Sequence, residues 1–323
     1  MPFDPADVQA IDAQASVLMK QGIRLLADAD PEAVTEALGC FDRALALRSR
    51  LPIDDVPVLR YGLAACWLNR ADALMRLGDA AQIADALRAF DEGIAVLGGL
   101  PLGEDPRFSR RLAMAHHNRG LALQRQNRSV ADAVAAFTDA IAVLDHDHAA
   151  LISDRQHLRA VVWMNLANAR ASEGTTESDT LAREAALRAI ALVAELEAHD
   201  VDAAEVGLKA RHVLCQTIAT RLSLPAASDE TMPDQVHEAT DIADDGLGLV
   251  RGWEQKGVVR FRAIAFDLFR FGARVYARYQ PQFLNEFVLD NLDPGQSSAD
   301  YVGSAEMRSA AHEALELSSR GGR

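Results

Sequence analysis

Two columns of small residues run along this chain in step, and they leave few folds open. The first holds Gly22, Ala71, Gly120, Ala167 and Ala219, at intervals of 49, 49, 47 and 52 residues. Four residues before each stands a bulkier one: Leu18, Trp67, His116, Trp163 and Cys215. The second column is offset from the first. Phe41, Phe90, Phe137, Ala186 and Ala243 are each preceded at four residues by alanine, at Ala37, Ala86, Ala133, Ala182 and Ala239. Each is followed at three residues by Ala44, Gly93, Ala140, Ala189 or Gly246. Spacings of three and four place these residues on one stripe of a helix, so each period contains two helices. The small residues are expected where the two helices of a hairpin come closest, and the Phe column is expected to fill the gap between one hairpin and the next. A hairpin with one apolar stripe cannot bury it alone, so neighbouring hairpins must stack.

Residues 67–79 (WLNRADALMRLGD) with 84–97 (ADALRAFDEGIAVL) resemble a tetratricopeptide repeat, whose pattern runs W-x2-L-G-x2-Y and then A-x3-F. So do 116–128 with 131–144, and 163–171 with 181–192. The likeness covers roughly residues 14–280. It implies an all-α solenoid of five to six antiparallel hairpins, with the first helices lining a concave groove that holds a protein or peptide partner. The period of 47–52 residues exceeds the 34 of the family, and the Pro that closes each family unit is mostly missing. The surplus lies in longer helices and in turns such as 98–108 (GGLPLGEDPRF).

Helix boundaries follow from local chemistry. Asp30-Pro31 reads as a cap with proline in the first turn, and Ser129 and Met232-Pro233-Asp234 open further helices. Asp147 or His148 is expected to open another, and Gly174 and Gly257 fall where helices stop. From residue 257 the character changes. Residues 258–280 are aromatic and carry Arg260, Arg262, Arg270, Arg274 and Arg278 against Asp267 alone. Gly272 extends the small-residue column, 282–292 reads as a short amphipathic helix, and 304–320 reads as a capping helix. The expected domains are therefore a repeat array over 1–256 and an atypical terminal repeat with capping helices over 257–323, packed on the array.

A net charge of −14 repels nucleic-acid backbones and anionic membranes, so neither is an expected partner. Residues 1–12 are acidic and have no apolar signal core, and no run of eighteen uncharged apolar residues occurs, so a cytoplasmic location is the expectation. Cys40, Cys66 and Cys215 are widely spaced within apolar patterns and read as inert buried thiols. No phosphate loop, GxSxG, HExxH or CxxC motif is present, so no cofactor, metal or catalytic residue is expected.

The candidate groove residues form a polar column two before the small residues: Lys20, Asn69, Asn118 and Asn165, with Asn168 one turn on. An asparagine amide both donates and accepts, which suits the backbone of an extended peptide. Arg76 and Arg125 on the same helices are candidates to hold a carboxylate or phosphate. A second basic stripe, Arg270, Arg274 and Arg278, either meets an acidic partner or pairs internally with Glu238, Asp241, Asp244 and Asp245. The cluster Asp145, His146, Asp147, His148, Asp154 and His157 reads as a solvated turn rather than a metal site. The functional expectation is a non-catalytic scaffold or adaptor. The alternatives are a helical enzyme or small-ligand receptor whose pocket is closed by the aromatic C-terminal helices, and a homodimer that pairs through that end.

Overall fold

The computed structural model describes residues 4–28, 30–54, 56–126, 129–146, 153–223, 232–292 and 304–321. Among them the chain forms thirteen α-helices and no strand, packed as sequential antiparallel hairpins. It divides into two compact units, Met1–Leu158 and Arg159–Arg323.

Unit 1 holds α1 (Pro5–Leu25), α2 (Pro31–Arg48), α3 (Pro57–Leu77), α4 (Ala80–Gly98), α5 (Pro106–Arg125) and α6 (Val130–His146). They pair as α1 with α2, α3 with α4 and α5 with α6, and α2 packs on α3 as α4 does on α5. The division falls inside α7 (Ser153–Ala171). Unit 2 continues with α8 (Thr176–Val193), α9 (Val201–Ser223), α10 (Met232–Glu254), α11 (Arg262–Tyr279), α12 (Leu284–Leu292) and α13 (Ser304–Gly321). Arg188 of α8 lies over the Trp163 ring of α7 at 4.7 Å. In unit 2, α8 packs on α9 and α9 on α10, and α11 meets α9, α10, α12 and α13.

Caps explain where the helices begin. Asp30 accepts a hydrogen bond from the Ala33 amide with Pro31 in the first turn, as its sequence implied. Asp4 and Asp105 do the same before Pro5 and Pro106. Asp79 with Gln82, and Thr175 with Ser178, form reciprocal capping boxes. The expected start at Asp147 or His148 lies outside the described residues. After α10, Gly257 takes φ 81°, and the Val258 amide returns to the Trp253 carbonyl at 3.0 Å. A side chain at that backbone angle would be strained, which is why glycine ends the helix there.

The small-residue column works inside the hairpin. A Cβ on Gly22 would lie 2.5 Å from Phe41 Cε1, and one on Gly120 would lie 2.6 Å from Phe137 Cε1. Ala71 and Phe90 hold the equivalent register positions in α3 and α4 and both are buried, as are Phe41 and Phe137. The phenyl ring therefore fills the space left by the small residue of its own hairpin, where the sequence had suggested a gap between hairpins. Gly272 continues the column, for a Cβ there would meet Phe287 Cζ at 2.6 Å. So α11 and α12 form a sixth hairpin, and α13 covers it.

Arg48 ties three helices of unit 1 together from a buried position. Its guanidinium donates to Asp12 Oδ1 at 2.9 Å, Ser16 Oγ at 2.9 Å and the Gly62 carbonyl at 2.8 Å. A Cβ on Gly62 would lie 2.9 Å from Arg48 Cζ, so the close approach of α3 needs glycine there. Burying a charge is tolerable when each donor is satisfied in this way.

Glycines in these helices should respond to substitution with opposite signs. Gly120→Val drives a side chain into Phe137 and should destabilise the chain by about 1–3 kcal/mol. Gly39, in the middle of α2, has nothing within 4 Å of an added Cβ. Gly39→Ala should stabilise by about 0.5–1 kcal/mol. Urea unfolding of the two variants, compared with the parent chain, checks both signs.

Candidate functional site

The C-terminal halves of α3 and α5 carry a repeated device. Arg125 Nη1 donates to the Met75 carbonyl at 3.0 Å, and Arg76 Nη1 donates to the Leu26 carbonyl. Each arginine thus reaches back about one hairpin to the open carbonyl end of the preceding first helix, where cations are favoured. A second repeated pair locks adjacent hairpins. Arg70 Nε meets Asp42 Oδ1 at 2.7 Å, and Arg119 Nε meets Asp91 Oδ1 at 2.7 Å.

Between these helices, α4 and the start of α2 lies a cleft of about 560 Å³. Val34, Met75, Phe90 and Leu121 give it apolar surface, while Asp72, Arg76, Asn118 and Arg125 give it polar groups. Asn118 Nδ2 donates to Asp72 Oδ1 at 3.3 Å, and Asn118 Oδ1 stands 3.2 Å from His117 Nδ1. His117 is buried against the Phe137 ring, and burial holds its pKa below the ordinary imidazole value. Burial also pushes the Asp72 carboxyl up to about 6, against the opposing pull of Arg76, Arg111 and the Asn118 hydrogen bond. Two guanidinium groups, an amide and a carboxyl of raised pKa thus line one partly apolar cleft.

The nominated residues are distributed unevenly. Arg76, Asn118 and Arg125 line this cleft. Asn69 does not, because its Nδ2 donates to the Ala65 carbonyl of its own helix at 2.7 Å. Lys20 is exposed on α1 and is also absent from the lining. Asn165 and Asn168 lie on α7 in unit 2, half-buried and exposed respectively. Asp72 escaped the sequence reading. It belongs to the column directly after the small residues, where Ile23, Asp72, Leu121 and Asn168 share no residue type.

The basic stripe of α11 is exposed. Arg274 pairs with Glu313 of the capping helix α13 at 2.8 Å, not with the acids of α10. Arg278 lies over the Tyr279 ring at 5.3 Å. Of the acids on α10, Glu238 pairs with Arg183, Asp244 accepts from the Tyr276 hydroxyl at 3.0 Å, and Asp241 lies 3.6 Å from His237. The aromatic residues of this region largely form its core. Phe261 and Phe269 are fully buried, and Phe269 stacks on Phe287 at 5.4 Å. Among the described residues no group of His, Cys, Asp or Glu is placed to hold a metal ion. Residues 147–152 of the acidic histidine turn lie outside the described residues. No described helix is long and apolar enough to cross a membrane.

No family model and no curated protein matches the sequence. Solved structures do match. The crystal structure of BtubC (BKLC) from P. vanneervenii aligns with a TM-score of 0.53 at 13% identity, over 89% of this chain and 90% of that one. The S. pombe nuclear import adaptor Nro1 aligns at 0.42 and 14% identity over 98% and 95%, and the apo quorum sensor NprR from B. thuringiensis at 0.39 and 11% over 93% and 87%. The likeness to BtubC is one of fold, an all-α solenoid of sequential antiparallel hairpins.

The raised carboxyl makes stability depend on pH. The folded chain holds the Asp72 proton more tightly than the unfolded chain does, so ionising it costs stability as pH rises through about 4 to 6. Asp72→Asn should stabilise the chain by about 1–3 kcal/mol near pH 8 and make little difference near pH 4. Thermal melts of both proteins across that range give the comparison.

Proposed function

We propose that the chain is a protein-interaction scaffold whose unit 1 cleft takes an extended, carboxylate- or phosphate-bearing segment of a partner. The observation that carries this reading is the matched posture of Arg76 and Arg125. Each spends one N–H on a helix-end carbonyl and also lines the cleft. A guanidinium anchored along one edge is oriented before any ligand arrives, so less rotamer entropy is lost when an anion binds. Two such groups one hairpin apart match an extended chain with spaced anions. The apolar surface of Met75 and Leu121 offers contact area between them, and Asn118 offers an amide. The tetratricopeptide-like fold supports the same reading, since stacked hairpins of this kind form long surfaces suited to extended segments.

A photo-crosslinking residue at Leu121 tests it, with one at the exposed Val58 as reference. A partner segment should crosslink from Leu121 and not from Val58. Arg76→Gln with Arg125→Gln removes both charges yet leaves an amide to donate to the carbonyls, and should reduce capture at least about tenfold. Equal capture from Val58, or full capture by the double variant, overturns the assignment.

A further inference from the structure

A second cleft, of about 530 Å³, lies in unit 2 between α10, α11 and α12. Three aromatic side chains, Tyr276, Phe283 and Phe287, line it. The Phe287 ring is anchored in the core between Phe269 and Tyr276, at 5.4 and 4.8 Å, so this wall is rigid. Phe283, in the turn before α12, is 48% exposed. A half-exposed phenyl beside a rigid aromatic wall is surface that water covers poorly and a partner covers well.

Charge selects the occupant. Asp241 and Asp244 of α10 and Glu286 and Asp290 of α12 line the same cleft. Against them stand Arg251, which donates to Asn291, and His237 beside Asp241. Among the described residues no ion pair reaches Glu286 or Asp290. The contrast with a third cleft, in unit 1, is one of degree, for there Asp42 is answered by Arg70 and Asp85 by Arg88, with Glu92 the remaining acid of the lining. Burial raises the Asp244 carboxyl, against the Tyr276 hydrogen bond and the pull of Arg251, with smaller contributions from Asp241 and Asp245. A cation set between carboxylates and aromatic faces gains from both, and arginine combines a planar charge with a surface that stacks.

We propose that this unit 2 cleft binds an arginine- or lysine-bearing segment of a protein partner. The site is independent of the unit 1 cleft and opposite to it in charge, which gives one chain two docking places that prefer different ligands.

Fluorescence anisotropy on the full chain tests it. The probe is a short labelled glycine–serine peptide carrying two arginines, with the same peptide carrying glutamates as control. The arginine peptide should bind and the glutamate peptide should not. Phe283→Ala, which leaves the charge unchanged, should weaken binding about three- to tenfold. Glu286→Gln with Asp290→Asn should weaken it about tenfold. Asp85→Asn with Glu92→Gln removes the same charge from unit 1 and should leave affinity unchanged. Melting curves confirm that each variant is folded. Absence of binding by the arginine peptide overturns the proposal, as does an undiminished affinity in Phe283→Ala. Equal weakening by the unit 1 control assigns the effect to overall charge and overturns it too. Spermidine that binds more tightly than the peptide, with no dependence on Phe283, overturns the assignment to a protein segment.

Discussion

Four of the six hairpins are built on a phenyl ring set against a residue that has almost no side chain, and in the other two alanine, Ala186 or Ala243, stands in the ring's place. Gly22 against Phe41, Gly120 against Phe137 and Gly272 against Phe287 are the same contact in three hairpins, with Ala71 and Phe90 in the equivalent places of a fourth. Changing one partner or the other would fail differently. Losing the ring leaves a cavity that helices cannot fully close, and enlarging the small residue forces them apart. The contact also fixes which faces of each hairpin remain for its neighbours, so stacking inherits its geometry from this one fit.

Coupling between hairpins in unit 1 adds polar ties to a shared apolar core, in which Cys66 and Ala73 of α3 cluster with Phe41 and Ala44 of α2. The pairs of Arg70 with Asp42 and Arg119 with Asp91 clamp flanks, while Arg76 and Arg125 reach back to helix ends and Arg48 joins three helices from within. The chain is rich in arginine despite its acidic balance, and many of these arginines serve as internal ties. That division of labour makes the exceptions informative. Arg76 and Arg125 are ties that also line a cleft, and the acids beside Phe283 are charges with few ties.

Much of this was legible in the sequence, because a repeated contact leaves a repeated residue. The columns located the hairpins, and Gly272 marked the last one although Phe287 follows it by 15 residues where Phe41 follows Gly22 by 19. Phe287 is the fourth residue of α12, whereas Phe41 is the eleventh of α2. The sites were legible only in part. Arg76 and Arg125 stood out as matching charges at matching positions. Asn69 turns its amide onto the carbonyl one turn back, which an asparagine within a helix can do and its place in a column does not reveal. Asp72 was hidden because its column mixes isoleucine, aspartate, leucine and asparagine, with no chemistry held in common. Phe283 was hidden because it sits in a turn, where helical spacing says nothing. The partner of Arg274 was hidden because a chain read in order does not reveal that α13 returns to cover α11.

The carbonyl-seeking arginines have a consequence for how such a chain can change its length. Donor and acceptor lie 50 residues apart in both instances, against a repeat of 49. A segment of one whole period, duplicated or lost by recombination in this region, would bring its own arginine and its own receiving helix end, and every tie would find a partner at once. A segment of any other size would break ties on both sides of the join. Growth in this part of the chain is therefore quantised, and lineages that lengthen or shorten it should differ here in steps of one full hairpin.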